Sequence, residues 1–399
     1  MLFRLSEFLS TQVWGPFRLL SSYLLMMGVG ALLAAFLTWW ILPKVWGRFL
    51  PHDRGKQLVD GKKQVSKGKP TGAGFAFTLI ILPVILLLVP LNAWEYGALA
   101  SLYGSMLFGF FDDASKNPWG ELKKGLLDLL VCVAAAYCLY QSHGADVWVP
   151  FFKGQWTVPG PLYVAGAAFL LWISTNATNC SDGVDGLAGT LTLCSLSSLV
   201  VLLYLVVGYA PVSEYLLIPH NPFAARWALL AVIVAGAIVA YLWYNAEPSK
   251  VLMGDAGSRF LGMLIGLLVL ISGNVFLIFV VAPVILVNGA TGLVKLVVLR
   301  LFKKMGFDVQ PVTCKKLSAE ERASLAEAQR IQIEEELRRE QERARRQNVV
   351  VKTLHKVRFP IHDHCRKNLH WSNAMVLLRF VLVQAFLTPI LFIIFVKLR

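Results

Sequence analysis

Phe111-Asp112-Asp113-Ala114-Ser115-Lys116 sets two adjacent carboxylates and a lysine at the end of an apolar run. Neighbouring residues on a helix point about 100° apart. One carboxylate can therefore face a metal or a proton site while the other caps or pairs. Lys116, one turn beyond Asp112, suits a phosphate or the carboxylate itself. A second polar stretch, Asn176 to Ala188, holds Asn176, Asn179, Asp182 and Asp185, with glycines that let a ligand approach the backbone. Its spacing lacks the Glu at position 12 of a calcium-binding EF-hand loop. A third runs from Asn245 to Ser258, with Gly254 and Gly257 flanking Asp255. Mg²⁺ is typically held by one or two carboxylates plus phosphate oxygens and waters, and Asp255 is the natural candidate; as a lone residue it could equally cap a helix. The fourth, Pro360-Ile361-His362-Asp363-His364, offers two imidazoles without a third ligand at zinc spacing.

Each segment alone has an ordinary reading: a helix end, a polar loop, a cap, an exposed basic loop. Together they bring five aspartates, several lysines and two histidines to one end of the apolar runs. Carboxylates and lysines suit a metal-bound diphosphate, the metal neutralising some phosphate oxygens and the lysines the rest. Residues 61–74 add Lys67 and Lys69 beside a glycine-rich turn.

The elements that must position these groups are membrane spans. Of 399 residues, 56% are hydrophobic and only 16% charged, and mean hydropathy is +0.61. That excludes a soluble enzyme, a disordered scaffold and a fibrous protein. A bilayer core of about 30 Å takes roughly 20 apolar residues per helix. Ten blocks qualify: 22–42, 73–91, 97–111, 125–141, 159–178, 188–208, 226–244, 258–272, 274–300 and 376–396. The expected fold is an all-α polytopic integral membrane protein, one catalytic domain over 1–399. The block 97–111 is short and is expected to extend by a turn. The ninth block is long and contains Pro283, Asn288, Gly289, Gly292 and Lys295, so it should tilt, kink or break near Asn288–Gly289.

The loops 43–70, 112–124, 245–257 and 300–375 hold 8, 3, 1 and 17 Lys+Arg, whereas the opposite loops hold only Lys153. The positive-inside rule puts the first set in the cytoplasm, with both termini periplasmic. The net charge of +14 is thus a topology signal, and no nucleic-acid partner is expected. Six scattered cysteines give neither a disulfide framework nor a zinc site. No cleavable signal is apparent, so the first span is expected to be retained. Residues 315–347 are dense in Glu, Arg, Gln and Ala, with a capping-box pattern at Ser318 and Glu321 and i,i+4 pairs Glu335–Arg339 and Glu342–Arg346. They read as an inserted cytoplasmic helical arm without a catalytic part.

The ordered motifs FGFFDDASK, NATNCSDGVDGLAG, YNAEPSKVLMGDAGS and PIHDH resemble those of the polyprenyl-phosphate N-acetylhexosamine-1-phosphate transferases. Among these the chain is most similar to the phospho-N-acetylmuramoyl-pentapeptide transferases, with SKGKPTGAG, VPFFKG and EYLLIPH as further matches. The resemblance implies a ten-helix enzyme of the bacterial inner membrane whose site faces the cytoplasm. It would transfer phospho-MurNAc-pentapeptide from UDP-MurNAc-pentapeptide to undecaprenyl phosphate, giving lipid I and UMP, with Mg²⁺ as cofactor and a homodimer as a candidate assembly. By motif match Asp255 would ligate the metal and Asp112 would activate the lipid phosphate, with Asp113 nearby. Lys67, Lys116 and Lys124 would contact phosphates. Asn179, Asp182, Asp185 and Gly254 would line the substrate site, and His362 and His364 stand for the outer members of a family His triplet. The chain departs from the pattern at Asp363, Cys365 and Arg366, at Leu252, where the family has Phe, and at Asn288 and Lys295. Two other readings are weighed: a sibling transferase of another UDP-amino-sugar phosphate, and an ion-coupled transporter, whose carboxylates should lie at the bilayer midplane.

Overall fold

The computed structural model describes residues 6, 8, 10–13, 15–53, 68–115, 117, 119–149, 152, 154–309, 338 and 348–397. Lys67, Lys116 and all but one residue of the 315–347 arm lie outside them.

All ten apolar blocks are helical, and the only sheet among the described residues is a two-residue antiparallel pair. The helices are α1 (Tyr23–Phe49), α2 (Ala73–Leu88), α3 (Ala93–Ala114), α4 (Glu121–His143), α5 (Gly160–Ser181), α6 (Leu187–Val201), α7 (Ala210–Tyr215), α8 (Ala224–Asn245) and α9 (Gly254–Ile271). Then come α10 (Ile278–Val281), α11 (Pro283–Ile285), α12 (Thr291–Lys304), α13 (Val349–Lys356), α14 (Ile361–Lys367) and α15 (Asn373–Lys397). The strands β1 (Asp146–Val147) and β2 (Trp156–Thr157) pair Asp146 with Thr157 between α4 and α5. Among the described residues six helices are long and apolar enough to cross a membrane by length and composition, and α2 is a shorter apolar helix. The short third block does extend, to the full length of α3.

The ninth block breaks, as its composition requires. Ala282 leaves helical geometry at φ −133° between α10 and α11, and Leu286–Ala290 forms a π-helical turn around Asn288 and Gly289. Pro283 has no N–H to continue the ladder across that joint.

Packing is inside out relative to a soluble protein. Leu32, Leu126, Phe169, Leu378 and Phe386 are more than half exposed, a surface that lipid would cover. The centre is α9, buried at every residue from Ala256 to Ile271 and packed against α2, α3, α5 and α6. Small residues let backbones touch where side chains would hold them apart. A Cβ on Gly257 would lie 2.8 Å from the Gly74 Cα, and one on Gly109 would lie 2.6 Å from the Asp255 carbonyl oxygen. The starts of α2 and α9 and the end of α3 are thereby drawn to one point. Backbone bonds fasten them: Ala73 N donates to Leu252 O at 3.0 Å, Gly74 N to Met253 O at 3.0 Å, and Leu252 N to Pro70 O at 2.8 Å.

Candidate active site

The point where α2, α3 and α9 meet is where the carboxylates gather. Asp112 and Asp113, at the end of α3, divide their roles as adjacent helical positions must. Asp113 turns to α9 and caps it: its Oδ2 accepts from the Ala256 N–H at 3.3 Å. Gly254, at φ +73°, makes room for that cap, because a Cβ there would meet Asp113 Oδ2 and the Gly72 backbone. Asp255 is thus not the cap of its helix; it sits in the first turn with its side chain released.

Asp112 turns the other way. Its Oδ2 lies 2.5 Å from Lys124 Nζ and its Oδ1 accepts from Trp119 N at 2.9 Å. Lys124, on the first turn of α4, also stands 3.6 Å from Asp255 Oδ2. Asp112 and Asp255 thus bear on the same ammonium. Asn179 donates to Asp255 Oδ1 at 3.1 Å and to Ser258 Oγ at 3.0 Å. The Asp255 side chain is 28% exposed, against 8% for Asp112, so Asp255 is the carboxylate that a ligand can reach.

The second polar segment folds over this centre. Asp182 ends α5, beyond its last turn. Burial and the nearby carboxylates of Asp255 and Asp185 push its carboxyl up to about 7. Asp185 Oδ2 accepts from Ser249 N at 3.3 Å, and Lys69 Nζ donates to Ser249 Oγ at 3.0 Å. Asn245 ties the same layer, accepting from Gly186 N at 2.7 Å and donating to Val251 O at 2.8 Å.

The two histidines part company. His362 is 3% exposed. Asn288 Oδ1 accepts from its backbone N–H at 2.9 Å. Asn288 Nδ2 lies 3.1 Å from His362 Nδ1 and donates to Ser181 Oγ at 3.0 Å. The other ring edge packs against Gly183, where any Cβ would strike Nε2. Burial pushes the imidazole down to about 4, so it is neutral near pH 7. His364 turns into its own loop, its Nδ1 accepting from Arg358 N at 3.3 Å. Among the described residues no hydrogen bond or ion pair joins His364 to the carboxylates.

Sequence reading passed over two residues here. Asp128, on α4, and Arg259, on α9, are both essentially buried, with Arg259 Nη1 2.5 Å and 2.6 Å from the two Asp128 oxygens. Each falls inside an apolar block, and an ionisable residue inside such a block was the available signal. The carboxylates of the polar segments count against the transporter reading. Asp112, Asp182 and Asp255 stand at helix ends rather than at midspan.

The structure is that of an all-α polytopic membrane protein with carboxylates gathered at one end of the bundle, and comparison with known proteins places it among the transferases. A family model, Glycosyl transferase family 4, matches residues 96–273. The phospho-N-acetylmuramoyl-pentapeptide-transferase of Treponema pallidum (strain Nichols) is 41% identical over 97% of this chain and 94% of its own length. Those of Aquifex aeolicus (strain VF5) and Aliarcobacter butzleri (strain RM4018) are each 28% identical, over 77% and 71% of this chain and 90% and 84% of their own lengths. The chain belongs to the phospho-N-acetylmuramoyl-pentapeptide-transferase family.

Proposed function

We propose that this chain transfers phospho-MurNAc-pentapeptide from UDP-MurNAc-pentapeptide to undecaprenyl phosphate, forming lipid I and UMP for peptidoglycan synthesis and so for cell shape and division. The observation that carries the reading is the convergence of Asp112 and Asp255 on Lys124 at one end of the bundle, with Asp113 capping the helix that carries Asp255. The basic loops favour the cytoplasmic face of the bacterial inner membrane for that end.

The donor set suits Mg²⁺. Asp112 and Asp255 share one ammonium, Lys124, at 2.5 Å and 3.6 Å, and a further cation beside them is favoured by their negative charge. Among the described residues no group of three or more His, Cys, Asp or Glu forms a cage. Mg²⁺ needs none, because substrate phosphates and waters complete its shell. Asp255 would hold it, and when bound it would neutralise phosphate charge and polarise the diphosphate.

The lipid acceptor has a matching approach. An apolar groove of about 720 Å³ runs between α4 and α5, lined by Leu122, Leu126, Leu129, Phe169 and Trp172, with Arg300 beside it. Leu122 and Leu126 lie one turn apart on the groove face of α4, and Lys124, two positions from each, points to the opposite face, toward Asp112 and Asp255. From the groove, a polyprenyl tail carries its phosphate around the start of α4 to reach Lys124. Asp112 takes the proton of that phosphate, Lys124 balances its charge, and Asn179 holds Asp255 toward the donor. The bond between the two phosphates of the UDP-sugar breaks, UMP leaves, and a new pyrophosphate bond joins sugar phosphate to lipid phosphate.

The test is UMP release by the purified chain from UDP-MurNAc-pentapeptide, undecaprenyl phosphate and Mg²⁺. UMP release from UDP-GlcNAc but not from the pentapeptide donor assigns the sibling activity instead. Release with neither donor removes the proposal.

A further inference from the structure

α4 and α9 face each other through two charged pairs of opposite order. α4 carries Lys124 and, four residues on, Asp128; α9 carries Asp255 and, four residues on, Arg259. Four residues are about one turn, or ~6 Å of rise, so the pairs stack as rungs. At the mouth, Lys124 meets Asp255 at 3.6 Å. One turn deeper, Arg259 meets Asp128. A diagonal joins the rungs: Arg259 Nη2 lies 3.3 Å from Asp255 Oδ2.

The deeper rung is costly to build. Asp128 is 0% and Arg259 4% exposed, and taking two charges out of water is strongly unfavourable before their attraction is counted. Packed apolar residues would hold the two helices at least as well. The geometry shows what the pair does that apolar residues cannot. Nη1 is taken by both oxygens of Asp128. The planar guanidinium is then fixed, and its second amino group has one direction left, toward Asp255 Oδ2. Asn179 holds the other oxygen, Oδ1. Asp255 is thus gripped from both sides. Because Asp128 offsets the charge of Arg259, the group leaves Asp255 net anionic in its surroundings.

We propose that Arg259, anchored by Asp128, is a positioning residue that fixes the orientation of the Asp255 carboxylate for a divalent cation. The inference rests on the functional reading above, which assigns Asp255 that cation. It adds two residues and a mechanism to that reading: the inner rung sets the rotamer, and the outer rung meets the substrate. Partners behind a metal ligand typically contribute about 10–100-fold in metal affinity or activity.

The full-length chain in detergent tests this. The double variant Asp128→Asn with Arg259→Gln removes both charges at nearly constant volume, so neither is left buried alone. Arg259→Lys keeps the charge and loses the fork. Circular dichroism and a melting curve establish folding. Mn²⁺ binding without substrates is read from the free-ion electron paramagnetic resonance signal, and the half-saturating Mg²⁺ from UMP release. The expected result for the folded double variant is Mn²⁺ affinity lower by about 10–100-fold. Half-saturating Mg²⁺ should rise in parallel while KM for undecaprenyl phosphate stays put. Arg259→Lys should fall between. Unchanged or tighter Mn²⁺ binding in either folded variant overturns the proposal. Should the double variant not fold, Arg259→Lys decides alone. A wild-type chain that binds Mn²⁺ yet releases no UMP sinks the functional reading and leaves this one to be judged on Mn²⁺. A wild-type chain that binds no Mn²⁺ without substrates overturns this inference, and the functional reading is then judged on UMP release alone.

Discussion

Carboxylates sit at both ends of this bundle, and the two ends treat them in opposite ways. At the end away from the site, Glu95 is 0% exposed. It closes a capping box on α3, its Oε2 accepting from Asn92 N at 2.8 Å while Asn92 caps in return. Trp227 Nε1 donates to Oε1 at 3.1 Å, Arg226 lies 3.4 Å from Oε2, and His143 Nε2 lies 3.3 Å from Oε1. One carboxylate there has four protein partners and no need of a ligand. At the site end, Asp112, Asp113 and Asp255 crowd together with Lys124 between two of them, and Arg259 is already engaged by Asp128. A saturated carboxylate fastens helices, whereas a group of carboxylates with too little positive charge is built to receive it. Burial does not separate the two, since Asp112 is nearly as hidden as Glu95.

The largest expected effect tests the deficit itself. Asp255→Asn should abolish turnover while the protein inserts and folds, because losing the reachable carboxylate forfeits several kcal/mol of charge stabilisation in the transition state. Each ~1.4 kcal/mol is a factor of ten, so a loss of about a thousandfold or more is expected. A Mg²⁺ titration of UMP release checks it, and near wild-type activity at any Mg²⁺ level removes Asp255 from its role. Chelating divalent ions from the wild type should match that loss and be reversed by Mg²⁺.

Next come the adjacent carboxylates. Asp112→Asn should lose activity at every Mg²⁺ level, since Asp112 pairs with Lys124 and, in the proposed mechanism, takes the proton of the acceptor phosphate. Asp113→Asn should mainly loosen the start of α9, costing about 1 kcal/mol as other lost caps do, with a milder activity defect. Equal defects in both, rescued alike by Mg²⁺, would show that the two do not divide their roles. The comparison end supplies the control. Glu95→Gln leaves Arg226 and the other partners with a neutral side chain, and breaking a buried pair from one side costs about 3–5 kcal/mol. The melting point should drop clearly while turnover per folded molecule holds. Lost turnover in a folded Glu95→Gln protein would mean the far end also serves the chemistry.

What the sequence revealed follows the same division. The helical bundle was legible because apolar blocks of span length have one stable form in lipid. The break in the ninth block was legible from Pro283 and Gly289, although the joint itself falls at Ala282. Asp112, Asp113, Asp182, Asp185 and Asp255 were legible because they interrupt apolar sequence at block ends. Asp128 and Arg259 were not singled out, because each is a lone charge and their meaning lies in the pairing across α4 and α9. Spacing along one chain cannot show which residues of two distant helices meet. His362 and His364 look alike in sequence, and only the fold shows that one is buried against Asn288 and the other turned into its own loop. That Asp113, rather than Asp255, caps α9 also needed the approach of α3.

The smallest expected effect concerns His362, the buried group at the site end that is satisfied in the manner of Glu95. Its imidazole is held down to about 4 by burial, against an ordinary value near 6.5. Between those values the unfolded chain binds a proton there that the folded chain does not, so stability falls as pH drops from about 6.5 towards 4. Asp182 pulls the other way. Its folded value of about 7 lies above the ordinary 3.8, which costs stability as pH rises through the same range. The raw melting curve therefore mixes both, and the difference between variants isolates one. His362→Gln can keep a polar contact to Asn288 but cannot take up a proton. Melting points of wild type and variant should be compared at pH 7 and pH 5. The expected result is a wild type that loses more on acidification than His362→Gln does, even though the variant starts lower. Parallel losses would mean that the ring titrates normally in the folded protein. Its place between Asn288 and Gly183 would then be loose enough for water, and His362 would belong with the ligand-receiving groups rather than with the fastened ones.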